Sequence, residues 1–473
     1  MVTESSGRVK RPRGALTIPV IAVIILALAL VGSYRIGKLN TFICDGPCGA
    51  KYVEPPKELG LVITRPSITP VLSTASAPDA AKVSAAVRKS LAQSSLGGHV
   101  GFVALDLKTG ATLDSSGSGA LTPASTTKVL TAYAALSALD SQTRFVTKVV
   151  SDGPGNLVLV GGGDPYLDRK KPKPAEYAHH ATLTDLAART AKALKASGST
   201  TVSLAYDDSL FSGPDVSPRW PATYLSQNIV TPISALWVSQ GVADNGIRSR
   251  TPASSAADVF ATLLEKAGIT VKAGTSRAKA APTATEIARV QSGTVAQILE
   301  STIQHSDNQA AEVMLRHVAL AKGKAGTFSA GAEAVGEILT AAGIDTAGLK
   351  LYDGSGLSRD DLISPLTLAQ AVRDAAGDPL TESLISDLPI GGFNGSIYQR
   401  FLGSSAKAAL GVVHAKTGTL TGVNSLTGIV QDLDGRPIVF AVMADRTKAI
   451  SPLAAKAALD NVVGALAGCH CGP

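Results

Sequence analysis

Between Cys48 and Cys469 the chain has no cysteine at all. Its body therefore owes nothing to a disulfide framework, and any thiol chemistry belongs to the two ends. Aromatic residues make up only 4% of the sequence, so its many Ala and Gly residues imply close helix packing rather than aromatic stacking. No Lys/Arg run with interleaved aromatics follows the N-terminus, which argues against a nucleic-acid partner. The run Gly161-Gly162-Gly163 lacks the Gly-Lys-Ser/Thr that would make it a phosphate loop, so it reads as a turn. No internal repeat is present.

What is there begins with 473 residues, of which 45% are hydrophobic, enough for two or three domains. The net charge of +7 owes part of its excess to Arg8, Lys10, Arg11 and Arg13. Behind this cluster residues 16–31 are almost wholly apolar, close to the lower limit of about 17 residues for a membrane span. Residues 1–15 are thus expected in the cytoplasm and 16–33 as a membrane segment, with an uncleaved anchor favoured over a signal cut near Val31-Gly32-Ser33. The remainder is expected outside the membrane. There, four thiols fit two disulfides among Cys44, Cys48, Cys469 and Cys471. A Cys469–Cys471 bridge closes a very small ring, so cross-pairing of the two ends is expected. A metal site from the same thiols and His470 has irregular spacing and ranks below it.

Residues 34–75 read as a linker, rich in Pro from Pro55 onward. A helix is predicted over 79–93, with Asp79 as its cap, followed by a hairpin turning at Lys108-Thr109-Gly110. Residues 144–163 look β-rich, 184–197 helical, 202–206 a strand and 256–267 helical, a mixed α/β insertion assigned to 151–284. Residues 293–320 are helical on either side of a break at 304–308. Near the end 412–419, 425–430 and 437–444 read as three adjacent antiparallel strands, closed by a helix over 451–466.

Chemistry enters at Ser125-Thr126-Thr127-Lys128, which opens an apolar run just after Pro123. On a helix a Ser and a Lys three apart share a face, so a desolvated amine can take the Ser proton. The spelling alone is weak, because 276–279 and 404–407 share it on stretches that read as solvated. Partners decide the matter. Ser306-Asp307-Asn308 supplies a hydroxyl that can relay a proton and an amide that can hold a substrate amide. Lys416-Thr417-Gly418-Thr419 offers a cation and two hydroxyls for a carboxylate, with a Gly that admits close approach. Backbone N–H groups of Ser125 and Thr419 are the candidate oxyanion hole. Ser226-Gln227-Asn228 and Lys108-Thr109-Gly110 repeat the shorter motifs, but not in the same order and context.

This trio is that of β-lactamases and penicillin-binding proteins. With Gly161–Leu167, Tyr206–Phe211, Pro232–Leu236, Asp353–Ser358 and Leu388–Gly392, the chain resembles the D-alanyl-D-alanine carboxypeptidase/endopeptidase family, peptidase S13, over residues 80–467. The long gap between Ser125 and Ser306 fits that family's inserted domains. The resemblance implies an α/β (α+β) fold. A penicillin-binding domain with an antiparallel sheet flanked by helices is expected from 76–150 and 285–467, with accessory domains between and a Cys-containing tail at 468–473. It also implies that the terminal helices meet on one sheet face, in line with cross-pairing of the cysteines. By the same resemblance Ser125 attacks a peptidoglycan stem peptide ending in D-Ala-D-Ala, and Lys128 accepts its proton. Ser306 relays a proton to the leaving D-Ala, Asn308 orients the peptide, and Lys416, Thr417 and Thr419 hold the carboxylate. β-Lactams are expected to acylate Ser125, and no metal or cofactor is implied. The rival readings are a β-lactamase or esterase on the same scaffold, and a non-catalytic peptidoglycan-binding protein. Ser396-Ile397 replaces the Thr-Leu expected after Gly395, and His414 before the Lys motif is unusual.

Overall fold

The computed structural model describes residues 76–117, 119–170, 180–448 and 452–473. The basic N-terminus, the apolar stretch at 16–31, Cys44 and Cys48 lie outside these residues. Among the described residues no helix is long and apolar enough to cross a membrane.

Asp79 caps α1 (Ala80–Leu91), its carboxylate accepting the N–H groups of Ala81 and Lys82. Strands β1 (Val100–Asp106) and β2 (Thr112–Ser116) form the expected hairpin. Its turn is closed by Asp106, which accepts the Thr109 N–H at 3.0 Å, and by Gly110 at a φ of 76°. Helix α2 (Thr127–Ala138) follows, buried along most of its length. The chain then builds a second sheet from β3 (Arg144–Gly153), β4 (Asn156–Val160), β5 (Thr201–Asp207), β6 (Thr270–Arg277) and β7 (Thr285–Thr294). Helices α3 (Leu183–Ala196) and α4 (Pro252–Lys266) cover it, sharing a core with Leu159, Leu204 and Val290. Its order is β6-β5-β4-β3-β7, with β4, β5 and β6 parallel and β3 antiparallel to both neighbours.

Return to the first sheet runs through α5 (Val295–His305), α6 (Asn308–Ala321), α7 (Phe328–Ala341) and α8 (Pro365–Gly377). Then come β8 (Val413–Leu420), β9 (Val423–Gln431), β10 (Pro437–Ala444) and α9 (Pro452–Ala467). The three strands are antiparallel, as predicted, and β10 also pairs with β1, setting Val103 opposite Ala441. The resulting order is β2-β1-β10-β9-β8. Alternation along β10 splits its side chains between two cores. Ile438, Phe440 and Val442 meet α1 and α9, while Val439, Ala441 and Met443 meet the core of α2, α6 and α8. This sheet, covered on both faces, carries the expected antiparallel domain.

The boundaries expected at 150/151 and 284/285 fall inside β3 and just before β7. Those strands pair with each other from Arg144 to Thr294, so the inserted sheet takes up both. Strands β6 and β7 were not foreseen. None of the eight residues of β6 is buried and seven of them are polar or small, so no alternation marks it. The described ends of the chain meet, Asp79 N–H donating to Cys471 O at 2.6 Å. The cysteines do not pair as expected. Cys469 is bonded to Cys471, not to Cys44 or Cys48. The tail turns around Asp434, whose carboxylate takes His470 Nδ1 at 2.9 Å and the Gly472 N–H at 2.8 Å. That turn sets the two Cα atoms 5.1 Å apart, within the span of a disulfide. Among the described residues no group of His, Cys, Asp or Glu could hold a metal.

Candidate active site

Ser125 does not sit in an α-helix but in a 3-10 turn, Ala124–Thr126, that leads into α2. Ala124 has a φ of 50°, a left-handed conformation that costs a non-glycine residue about 1 kcal/mol. The turn is held from outside. Thr126 Oγ1 and Ser425 Oγ of β9 both donate to Pro123 O, at 2.8 and 2.5 Å. A Cβ on Gly356 would fall on Ala124 O, so only glycine lets the 353–358 loop pack there. Ser125 is left half-buried at the mouth of a cleft, with Lys128 one turn behind it and fully buried.

The Lys128 amine touches three oxygens: Ser125 Oγ at 3.0 Å, Asn308 Oδ1 at 2.7 Å and Ser355 O at 2.7 Å. Burial pushes its pKa down to about 8, against the pull of the Glu312, Asp353 and Asp307 carboxylates. A large neutral fraction is therefore present at mildly alkaline pH, as a general base requires.

Ser306 and Asn308 stand where α5 gives way to α6. Ser306 ends α5 at a φ of 56°, and Asp307 caps α6 by accepting the Ala310 N–H. Gln240 Nε2 of the inserted domain donates to the other Asp307 oxygen at 2.6 Å. The left-handed residue makes the break predicted at 304–308 and leaves Ser306 and Asn308 partly exposed. Opposite them, β8 brings up Lys416, fully buried, whose amine donates to Ser306 Oγ at 2.8 Å and Thr417 O at 2.9 Å. Burial and the nearby Lys128 cation hold the Lys416 pKa well below the usual lysine range. A substrate carboxylate would supply the missing counter-charge. Gly418 passes so close to the Ser125 turn that a Cβ would meet Ser425 Oγ and Pro123 O and lie 3.1 Å from Ser125 N. Thr419, one residue on, is exposed at the strand end.

The structure thus brings Ser125, Lys128, Ser306, Asn308 and Lys416 through Thr419 to one cleft. The other Ser-x-x-Lys matches lie at the end of β6 and on a turn that leads into a short 3-10 helix at Lys407, and Lys108-Thr109-Gly110 is the hairpin turn. Sequence reasoning gave no role to four further residues, Ser396, Ser425, Glu312 and Asp353. Ser396 Oγ accepts from Thr417 Oγ1 at 3.3 Å, so the departure noted there retains a hydroxyl. Ser425 supports the nucleophile turn. Glu312, fully buried on α6, accepts the N–H groups of Gly354 and Ser355, both at 2.9 Å. Its signal was present, a lone carboxylate four residues after Asn308 and on the same helix face. Asp353 completes the loop, accepting Gly356 N–H at 2.7 Å, Ser358 N–H at 2.6 Å and Trp220 Nε1–H at 2.7 Å. His414 is a bridge partner of Ile390 beside the site, and burial lowers its pKa.

A model of the D-Ala-D-Ala carboxypeptidase 3 (S13) family matches residues 83–249 and 242–466. A carboxypeptidase of Mycobacterium tuberculosis is 37% identical over 392 residues, covering 80% of this chain and 83% of that protein. A D-alanyl-D-alanine carboxypeptidase of an Actinomadura strain is 29% identical, covering 76% of this chain and 80% of that protein. Among solved structures, penicillin-binding protein 4 of Haemophilus influenzae superposes with a TM-score of 0.67 at 24% identity, covering 80% of this chain and 98% of that one. That likeness is one of fold.

Proposed function

The chain belongs to the D-Ala-D-Ala carboxypeptidase 3 (S13) family, and from that premise we propose how its cleft performs the reaction. It is a serine D-alanyl-D-alanine carboxypeptidase, an enzyme of the peptidoglycan. Ser125 Oγ attacks the carbonyl of the penultimate D-Ala, and the neutral Lys128 amine takes the hydroxyl proton. The oxyanion formed lies against the N–H groups of Ser125 and Thr419. The C–N bond then breaks, and Ser306, held by Lys416 at 2.8 Å, relays to the departing D-Ala amine the proton that Lys128 took, which leaves Lys128 neutral again. Water adds to the ester carbon, giving a proton to the neutral Lys128, and as the ester bond breaks Lys128 returns that proton to Ser125 Oγ. Lys416, Thr417 and Thr419 hold the terminal carboxylate. Asn308 uses its carbonyl on Lys128 and leaves its NH2 for a substrate carbonyl.

The observation that carries this reading is the contact of a fully buried lysine amine with a half-exposed serine hydroxyl at 3.0 Å. A β-lactam presents the same carbonyl and carboxylate, so it would acylate Ser125 and stay there. The enzyme acts outside the cytoplasm, tethered by the apolar stretch at 16–31. Digestion of purified muropeptides tests the assignment. Pentapeptide monomers should lose one D-Ala, and Ser125→Ala should release none. Equal release by both proteins would overturn it. Cross-linked dimers in the same digest report endopeptidase action, which differs only in the leaving amine. Nitrocefin turnover outpacing D-Ala release would favour the β-lactamase reading.

A further inference from the structure

Glu312 is a carboxylate with no exposed surface. Burying one is expensive unless its oxygens are satisfied. Here both are, by consecutive backbone N–H groups, Gly354 to Oε2 and Ser355 to Oε1, each at 2.9 Å. The same loop is held from α2, where Thr131 Oγ1 donates to Gly354 O at 2.8 Å. With the backbone gripped from both sides, the Ser355 carbonyl has one direction left, toward Lys128 at 2.7 Å.

We propose that Glu312 is a positioning residue for acyl transfer: by fixing the Gly354–Ser355 backbone it sets the Ser355 carbonyl beneath Lys128 and so aims the Lys128 lone pair at Ser125. A neutral amine has two N–H bonds and one lone pair. Asn308 Oδ1 and Ser355 O take the two N–H bonds, and the remaining tetrahedral direction points at Ser125 Oγ. Asn308 and Glu312 are four residues apart on α6, so a single helix face sets one acceptor directly and the other through the loop. If the Ser355 carbonyl shifts, the amine can rotate and the lone pair loses its aim.

The charge of Glu312 has a second, separable effect, since a nearby anion favours the protonated lysine. The charged groups around the pair are Asp307 ahead of α6, Asp353 and Asp361 of the loop, Arg316 one turn further along α6, and Lys416 of β8. Burial raises the Glu312 pKa to about 8, so its negative charge is full only above that pH; replacing Glu312 by Gln removes that charge, and Lys128 then gives up its proton more readily. Gln also turns an NH2 toward one of the two N–H groups, which breaks the grip on the loop.

The proposal rests on the roles given to Ser125 and Lys128, and one assay separates the two. The rate of acylation by a fluorescent penicillin is measured from about pH 6 to about pH 10 on the whole enzyme. Circular dichroism melts check each variant's fold. Glu312→Gln should lose about tenfold or more of the maximal rate and move the acidic limb to lower pH. Glu312→Asp keeps the charge but falls short of both N–H groups, so it should lose rate with the limb unmoved. Gly354→Ala probes the same chain without touching the carboxylate, because its Cβ would meet Ala311 O and Leu315 Cβ. It too should lose about tenfold with the limb in place. A folded Glu312→Gln with the wild-type rate and limb, or a folded Gly354→Ala with the wild-type rate, overturns the proposal while Lys128→Ala remains inactive. Wild-type acylation by Lys128→Ala would instead overturn the parent reading.

Discussion

A lysine serves as a base only after losing its proton, and at Lys128 burial brings that loss to about pH 8. Below that pH the amine is an ammonium and Ser125 has no acceptor. Acylation of the free enzyme should therefore rise with pH through a midpoint near 8, and a rate independent of pH across that range would show that Lys128 is not the base. In the proposed reaction Lys416 has the opposite duty, to be a cation when a carboxylate arrives. Lys416→Ala should raise KM for a D-Ala-D-Ala peptide by about tenfold to a hundredfold. It should affect a substrate amidated at its C-terminus far less, and an equal loss on both would contradict the carboxylate role. Ser125, Ser306 and Lys416 could be read from their order in the chain. Glu312 left only its spacing from Asn308 as a trace, because its partners are backbone N–H groups of a loop 42 and 43 residues away. No side-chain pattern records such a bond.

Strands and turns decide how closely these side chains approach. Strand β8 can lie against the nucleophile turn only because Gly418 has no Cβ to strike Ser425 Oγ and Pro123 O. Gly418→Ala should displace the strand enough to cost about a hundredfold in acylation rate, and a wild-type rate would refute the close approach. The segment after β8's neighbour Ile390 is tied down by Arg400, which meets Asp460 of α9 with Nε at 2.9 Å and Nη2 at 2.6 Å. Both side chains are nearly buried, so Asp460→Ala should lower unfolding stability by about 2–3 kcal/mol in a denaturant titration. A loss under half that would make the pair a surface ornament of the fold. The β8–β10 meander and the Asp79 cap were legible because alternation and capping are local signals. The Ser125 turn was only half legible. Its helix was expected directly after Pro123, but a left-handed Ala124 and a 3-10 turn intervene, both held by Ser425 and Gly356 from distant segments. Strand β7 was hidden for another reason. Its last residue, Thr294, is also the cap of α5 in a capping box with Gln297, so its end reads as the start of the helix expected from residue 293.

At the scale of the whole chain, the inserted sheet and the catalytic sheet share the cleft. Gln240 reaches Asp307 beside Ser306, and Trp220 reaches Asp353 behind Lys128, so two segments of the insertion hold the loops beside the proposed catalytic residues. That an insertion exists was clear from the distance between Ser125 and Ser306. Where it joins was not, because β3 and β7 pair residues 134 to 150 positions apart, from Ser151 with Thr285 to Arg144 with Thr294, and a contact of that span leaves no local trace. The cysteine pairing failed for a similar reason. The tight Cys469–Cys471 closure depends on Asp434 folding the tail around His470. All of these elements converge on one oxygen atom, and peptide mass mapping after incubation with benzylpenicillin reads it directly. The account predicts a penicilloyl adduct on the peptide containing Ser125, at one per chain, and none on Ser125→Ala. An adduct on Ser306 or elsewhere, or one that survives in Ser125→Ala, would contradict it.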